Sequence, residues 1–172
     1  MNKPVINLKE IELKPRPQMF TATGEAASRF DATTGAISPI IGAQKLGYNI
    51  TCVPPGKRAF PFHNHNVNEE MFLILEGTGE LRFGMEIYAI KKMDIIACPP
   101  GGPDVAHQII NTGKTDLKYL AVGTKLSPEI AEYPDSGKFG VLADFPADNE
   151  GISRRFMFMG RENGSLDYWE GE

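Results

Sequence analysis

Three histidines and one glutamate are the residues of this chain whose types and spacing could do chemistry. The chain of 172 residues contains three histidines, His63, His65 and His107, and Glu70 follows the first pair. Histidines at positions i and i+2 of an extended segment point to the same face, because side chains alternate along a strand. Neutral imidazole together with a carboxylate suits a divalent metal ion. The spacing therefore indicates a metal site, with positions left on the ion for water, dioxygen or a chelating substrate.

The two stretches around these residues resemble the two sequence motifs of the cupin superfamily. The first motif is matched by Gly56, His63-Asn64-His65, Glu70 and Gly77, and the second by Pro99-Pro100-Gly101 and His107 to Asn111. The spacing to Gly77 selects Glu70 rather than Glu69. The resemblance implies that His63, His65, Glu70 and His107 bind one divalent metal ion (Fe, Mn, Zn or Ni), and that Glu70 is a candidate catalytic base.

Three positions depart from the family pattern. Met93 stands where a glycine is usual, the spacer before His63 has one extra residue, and five residues separate Gly101 from His107. Glycine and proline at positions 101 to 103 are typical of a turn. We therefore expect a widened loop at the mouth of the barrel, with the ligands beyond it intact.

The resemblance implies an all-β fold, the double-stranded β-helix (jelly-roll, RmlC-like cupin) barrel, here with extended N- and C-terminal arms. Short apolar runs separated by glycine and proline support it, since this pattern is typical of antiparallel barrels. If Glu70 points inward, Phe72 and Ile74 should do so too. Gly77-Thr78-Gly79 is expected to form a hairpin rather than a phosphate-binding loop.

Changes in composition divide the chain into three parts. We expect residues 1–45 to form an N-terminal arm with edge strands, 46–125 the barrel, and 126–172 an extension that packs on the barrel or on a partner subunit. Ser127 to Glu132 is predicted to begin a short helix, since Ser is a good N-cap and Pro favours the first helical position. The apolar residues between Arg154 and Met159 are expected in the core or an interface, and Trp169 is expected to anchor the tail on its own barrel or across a dimer.

Composition indicates which partners and which location to expect for the protein. The net charge is −4 and no apolar segment approaches the length of a membrane span, so we expect neither nucleic acid nor membrane as a partner. We expect a cytoplasmic homodimer that binds a small molecule, with Cys52 and Cys98 as reduced thiols. Lys57 and Arg58 are either solvated loop charges or contacts to an anionic substrate.

Two classes of function remain open from the sequence. An enzyme could polarise a hydroxy, keto or carboxylate compound, with Glu70 or a bound hydroxide as base. Because cupins include both, it could be an Fe(II) dioxygenase or a sugar or sugar-phosphate isomerase. Alternatively, the chain is a non-catalytic cupin that binds or senses a small ligand, although no DNA-binding helical segment is visible.

Overall fold

A computed structural model describes residues 3–146 and 153–172 of the chain. Within these residues, strands dominate and one short α-helix occurs. The strands are β1 (Lys14–Pro15), β2 (Thr33–Ala36), β3 (Leu46–Val53), β4 (Asn64–His65), β5 (Glu70–Glu76), β6 (Thr78–Phe83), β7 (Glu86–Lys91), β8 (Ile95–Cys98), β9 (His107–Ile110), β10 (Leu117–Thr124), β11 (Glu129–Tyr133), β12 (Lys138–Phe145) and β13 (Arg154–Gly160), and the helix is α1 (Ser38–Ile41). None of the described helices has the length and apolar character needed to cross a bilayer.

The strands form three antiparallel sheets. One sheet has the order β1-β2-β3-β10-β5-β8, the second β13-β12-β11-β4, and the third β7-β6-β9. The sheets pack as a jelly roll and do not close into one continuous hydrogen-bonded cylinder. The all-β fold expected from the sequence is confirmed, and Pro103–Val105 forms a short 3-10 turn in the predicted wide loop.

The core lies between the sheets and is apolar around the candidate ligands. Val53, Ile74, Leu117 and Tyr119 are fully enclosed, and Phe72 faces the same interior. The inward direction predicted for Phe72 and Ile74 is therefore correct. Both cysteines are buried and free, as expected.

The N-terminal arm covers the outer face of the large sheet. Its strands β1 and β2 extend that sheet beyond β3. Ile11 and Ile37 of the arm form a second apolar cluster with Ile50 of β3, and Leu75 and Leu120 pack against it. The arm is thus tied to the barrel by both sheet pairing and burial of apolar surface.

Two local expectations from the sequence are wrong. Gly77 does not form a hairpin, because β5 pairs with β10 and β8 whereas β6 pairs with β7 and β9. The chain instead crosses between sheets at Gly77, whose φ is +83° and where a Cβ would lie 2.4 Å from the Asp116 carbonyl oxygen. A residue with a side chain would be strained there.

The second error concerns residues 129–133, where a helix was predicted after Ser127 and Pro128. This segment is strand β11, which pairs with β12 on one side and β4 on the other. Pairing partners on both sides outweigh a favourable helix start, which is a weak local preference.

The end of the C-terminal extension is exposed. The apolar side chains of β13 are exposed on both faces, and Trp169 is 72% exposed, with Tyr168 as its aromatic neighbour. Trp169 therefore does not anchor the tail on its own barrel, and the apolar residues of β13 are not part of the core of the chain.

Candidate metal centre

Four strands bring the four predicted residues together. His63 exchanges two backbone hydrogen bonds with His107 at the start of β9, with N to O distances of 3.2 and 2.7 Å. His65 lies in β4 and pairs with Ala131 of β11, and Glu70 begins β5. Strand β9 thus holds His63 from the barrel side, and β11 of the C-terminal extension holds His65 from the other side.

The three imidazoles converge on one carboxylate oxygen, Oε2 of Glu70. Their Nε2 atoms lie 3.1 Å (His107), 3.4 Å (His65) and 3.9 Å (His63) from it. Donor atoms of His63, Glu70 and His107 all lie within 4.8 Å of one another. His65 is set further back, since its ring centre is 6.2 Å from that of His107. Glu69, which the spacing argument rejected, is exposed.

This donor set fits a divalent metal ion. Two imidazole nitrogens, from His63 and His107, and one carboxylate oxygen of Glu70 lie close enough for one ion, with His65 beside the same carboxylate, and neutral imidazole with carboxylate is a set that first-row transition metals accept. Nδ1 of His63 lies 2.8 Å from the Pro61 carbonyl oxygen, and donation to that acceptor leaves Nε2 with a free lone pair. His63 is therefore held in the tautomer that binds a metal.

Glu129 of β11 holds His65 from behind. This carboxylate is 5% exposed, and its Oε2 lies 3.6 Å from Nδ1 of His65. It also accepts hydrogen bonds from the backbone N–H groups of Asn66, Val67 and Asn68, at 3.2, 3.3 and 2.8 Å. One buried carboxylate thus fixes the loop that follows His65 and lies within ion-pair distance of the His65 ring.

The charges at the centre favour neutral His63 and ionised Glu70. Burial, followed by the neighbouring His107, lowers the pKa of His63 to about 4. Burial alone would raise the pKa of Glu70, but hydrogen bonds from His107 and His65 hold it well below its usual range. Burial would likewise lower the pKa of His65, yet Glu70 and Glu129 together raise it. A cation at this point would compete with protons for His65.

Tyr133 forms one wall of the centre. Its ring is nearly parallel to that of His63, at 19°, with the ring centres 6.1 Å apart. Burial raises the pKa of the phenol, so that it stays protonated and can donate a hydrogen bond. Tyr133 also lines a cleft of about 480 Å³ formed by the C-terminal extension. Tyr133 therefore lies between the candidate metal centre and this cleft, whose lining does not include His63, His65, Glu70 or His107.

Sequence reasoning missed the contributions of Glu129 and Tyr133. Both lie outside the two motifs, and Glu129 fell in the segment predicted to be helical. Lys57, considered as an anion contact, instead donates to the carbonyl oxygens of Ala27 and Ser28, at 3.2 and 2.7 Å, and so ties the arm to the barrel. Burial raises the pKa of the Cys98 thiol to about 12, which keeps it in the unreactive protonated form.

Comparison with known proteins supports the fold. Residues 49–123 match the cupin domain family. An uncharacterized protein of Methanocaldococcus jannaschii is 40% identical over 68 residues, which cover 40% of this chain and 51% of that protein. The chain thus matches about half the length of this curated relative.

Solved structures resemble the chain over more of its length. The crystal structure of a sugar phosphate isomerase from a cupin superfamily, from Silicibacter pomeroyi, aligns with a TM-score of 0.74 and 23% identity, covering 96% of this chain and 98% of that one. A predicted oxalate decarboxylase from Thermotoga maritima aligns with a TM-score of 0.56 and 25% identity, covering 71% and 99%. Residues 49–123 thus carry the match to the cupin domain family, and the solved structures share the jelly-roll fold of the chain.

Proposed function

We propose that this protein is a metal-dependent isomerase that interconverts a hydroxy-aldehyde and a hydroxy-ketone, with a sugar or sugar phosphate as substrate. The observation that carries the proposal is the convergence of three imidazole nitrogens on one carboxylate oxygen beside an open cleft. The full-length resemblance to a protein named as a sugar phosphate isomerase supports this choice among cupin activities.

In the proposal His63, His65, Glu70 and His107 hold one divalent cation. When bound, the cation supplies a Lewis acid that polarises the substrate carbonyl and acidifies the neighbouring C–H bond. The donor set leaves the metal identity open among Fe, Mn, Zn and Ni. In the proposal the side chains of the centre carry the proton and donate the hydrogen bond to the substrate.

The reaction moves one proton between two adjacent carbon atoms, and Glu70 is the group proposed to carry it. The carboxylate removes the proton from the carbon next to the carbonyl and returns it to the former carbonyl carbon, while the hydroxyl proton passes to the former carbonyl oxygen, so that the atoms and charges of substrate and product balance. The low pKa of Glu70 keeps the carboxylate ionised before the transfer. Tyr133, protonated and stacked on His63, is placed to donate a hydrogen bond to a substrate oxygen.

Apolar packing behind the centre limits the access of water. The Phe72 ring lies 5.8 Å from that of His107 and packs edge-on against Tyr119, which is fully enclosed. Exclusion of water strengthens the electrostatic interactions at the reacting atoms and protects an enediolate from side reactions.

Two measurements test the proposal. Elemental analysis of protein purified without a metal-affinity tag should find a divalent metal, and His63→Ala should lower its content, whereas Glu69→Gln should not. Incubation of the loaded protein with sugars and sugar phosphates in D2O should incorporate deuterium next to the carbonyl, as followed by NMR.

Other results of these measurements would support a different function. Oxygen uptake stimulated by substrate in the Fe(II) protein, without deuterium incorporation, would identify a dioxygenase. Tight ligand binding without exchange or turnover would identify a binding or sensing protein. Unchanged metal content in His63→Ala would refute the centre itself.

A further inference from the structure

Two basic side chains line the cleft beside Tyr133 without a carboxylate partner. Lys138 and Arg161 both contribute to the cleft of about 480 Å³, and both also line an adjoining cleft of about 300 Å³. Among the described residues, neither has a carboxylate oxygen within 4.0 Å, whereas Arg82 and Arg155 each form an ion pair. Unpaired cations that share a concave surface form a natural site for an anion.

The sheet register points Lys138 towards the metal centre. Ala131 pairs with His65, so Tyr133, two residues further along β11, leaves the same face as His65. Lys138 pairs directly with Tyr133 across β11 and β12 and therefore leaves this face as well. Its Nζ lies 5.6 Å from the centre of the Tyr133 ring.

The distance from this cation to the metal centre is short enough for one small molecule to reach both. Because the Tyr133 ring centre lies 6.1 Å from that of His63 and 5.6 Å from Nζ of Lys138, the ammonium is at most about 12 Å from the His63 ring. The extended carbon chain of a pentose or hexose phosphate spans such a gap.

The remaining polar groups of the cleft match an oxyanion with several acceptor atoms. The Arg161 guanidinium is held at the rim by a hydrogen bond from its Nε to the Ser136 carbonyl oxygen at 3.4 Å, which leaves its terminal nitrogens free to donate. Asn163 lines both clefts next to it. Two acidic residues also line the cleft. Glu132 accepts hydrogen bonds from Asn64 and Asn66, whereas the negative charge of Glu162 repels an anion.

We propose that Lys138 and Arg161, with Asn163, form a phosphate subsite that binds the phosphate monoester of the substrate while its carbonyl end lies at the metal centre. The inference rests on the proposed isomerase for the identity of the substrate as a sugar phosphate. The subsite itself stands on the cleft, the register and the unpaired cations. An arginine fork and a lysine ammonium are the side chains that most often bind phosphate.

The test uses inorganic phosphate as the probe and metal-free protein, so that neither turnover nor a bound cation contributes. Calorimetric titration should give a dissociation constant that rises about tenfold in Lys138→Gln and in Arg161→Gln, the loss expected for one charge-assisted hydrogen bond. Lys138→Arg should retain binding, and Glu162→Gln should tighten it. Lys114→Gln, which removes an exposed charge from the turn between β9 and β10, is the matched control.

The outcomes separate this inference from the proposed function. Equal phosphate affinity in the wild type, Lys138→Gln and Arg161→Gln would overturn the subsite even if the loaded protein isomerises free sugars. Acetate binding more tightly than phosphate would also overturn it. Loss of phosphate binding in both variants, with no deuterium exchange in any sugar phosphate, would sustain the subsite and refute the isomerase.

Discussion

Glu129 is expected to set both the stability of the loop after His65 and the affinity of the metal centre. In Glu129→Gln the side chain keeps its size, but an amide NH2 replaces one of the two acceptor oxygens. Oε1 accepts from Asn66 and Val67, and Oε2 accepts from the backbone and side-chain amides of Asn68. Whichever oxygen is replaced, two donors lose a charged acceptor: the buried amides of Asn68 at Oε2, or the part-buried N–H groups of Asn66 and Val67 at Oε1.

The size of the effect follows from those two donors. A buried donor left without its acceptor costs roughly 1–3 kcal/mol and a part-buried donor less, so Glu129→Gln should lower the free energy of unfolding by about 1–3 kcal/mol. This is a large part of the roughly 5–15 kcal/mol of a typical domain but leaves the protein folded. Because the partner of Nδ1 of His65 is also changed, metal affinity should fall by roughly 10–100-fold.

Urea unfolding of the metal-free protein and calorimetric metal titration measure these two effects separately. Glu69→Gln, which alters an exposed carboxylate near the same centre, should change neither. If Glu129→Gln unfolds at the wild-type urea concentration and binds metal with wild-type affinity, the role assigned to this carboxylate is wrong.

Three further predictions concern proton competition, backbone strain and association. Metal affinity, measured by titration, should fall as pH drops, first because His65, whose pKa is raised, takes up a proton, and again near the pKa of about 4 of His63; affinity independent of pH would contradict this. Met93→Gly should raise the free energy of unfolding by about 1 kcal/mol, because Met93 has a φ of +75° and its side chain is 69% exposed. The control Met85→Gly should not stabilise the protein. A lower stability of Met93→Gly on heating would refute the strain. Light scattering should find a homodimer associated through the exposed edge strand β13, and Phe158→Glu should yield monomers; a wild-type monomer would exclude this association.

The sequence was sufficient to predict the jelly roll and to choose the four residues that converge at the centre. Both depended on features that are local in the chain: a two-residue period, glycine and proline at turns, and two short motifs. The departure at Met93 was also visible, and it coincides with the one non-glycine residue of positive φ among those described. Local patterns of this kind report backbone geometry directly.

The parts of the site that the sequence did not reveal depend on distant pairing. Glu129 reaches residues 66–68 from 61 to 63 positions away, and Tyr133 meets His63 through the pairing of β11 with β4. No local pattern encodes that pairing, and the Ser-Pro start favoured a helix instead. The arrangement at Gly77 was missed for the same reason, since strand partners determine whether a glycine turn is a hairpin.

The short pairing between β4 and β11 has a consequence for how the molecule opens. Two residue pairs join these strands, whereas eight join β10 to β3. Breaking the shorter ladder costs less than unfolding the barrel, so the unit from β11 to β13 can separate as one piece while the large sheet stays intact. Amide protons of β11 should then exchange with solvent well before those of β10. This local opening would move Tyr133 away from His63 and allow a bulky molecule to reach the imidazoles.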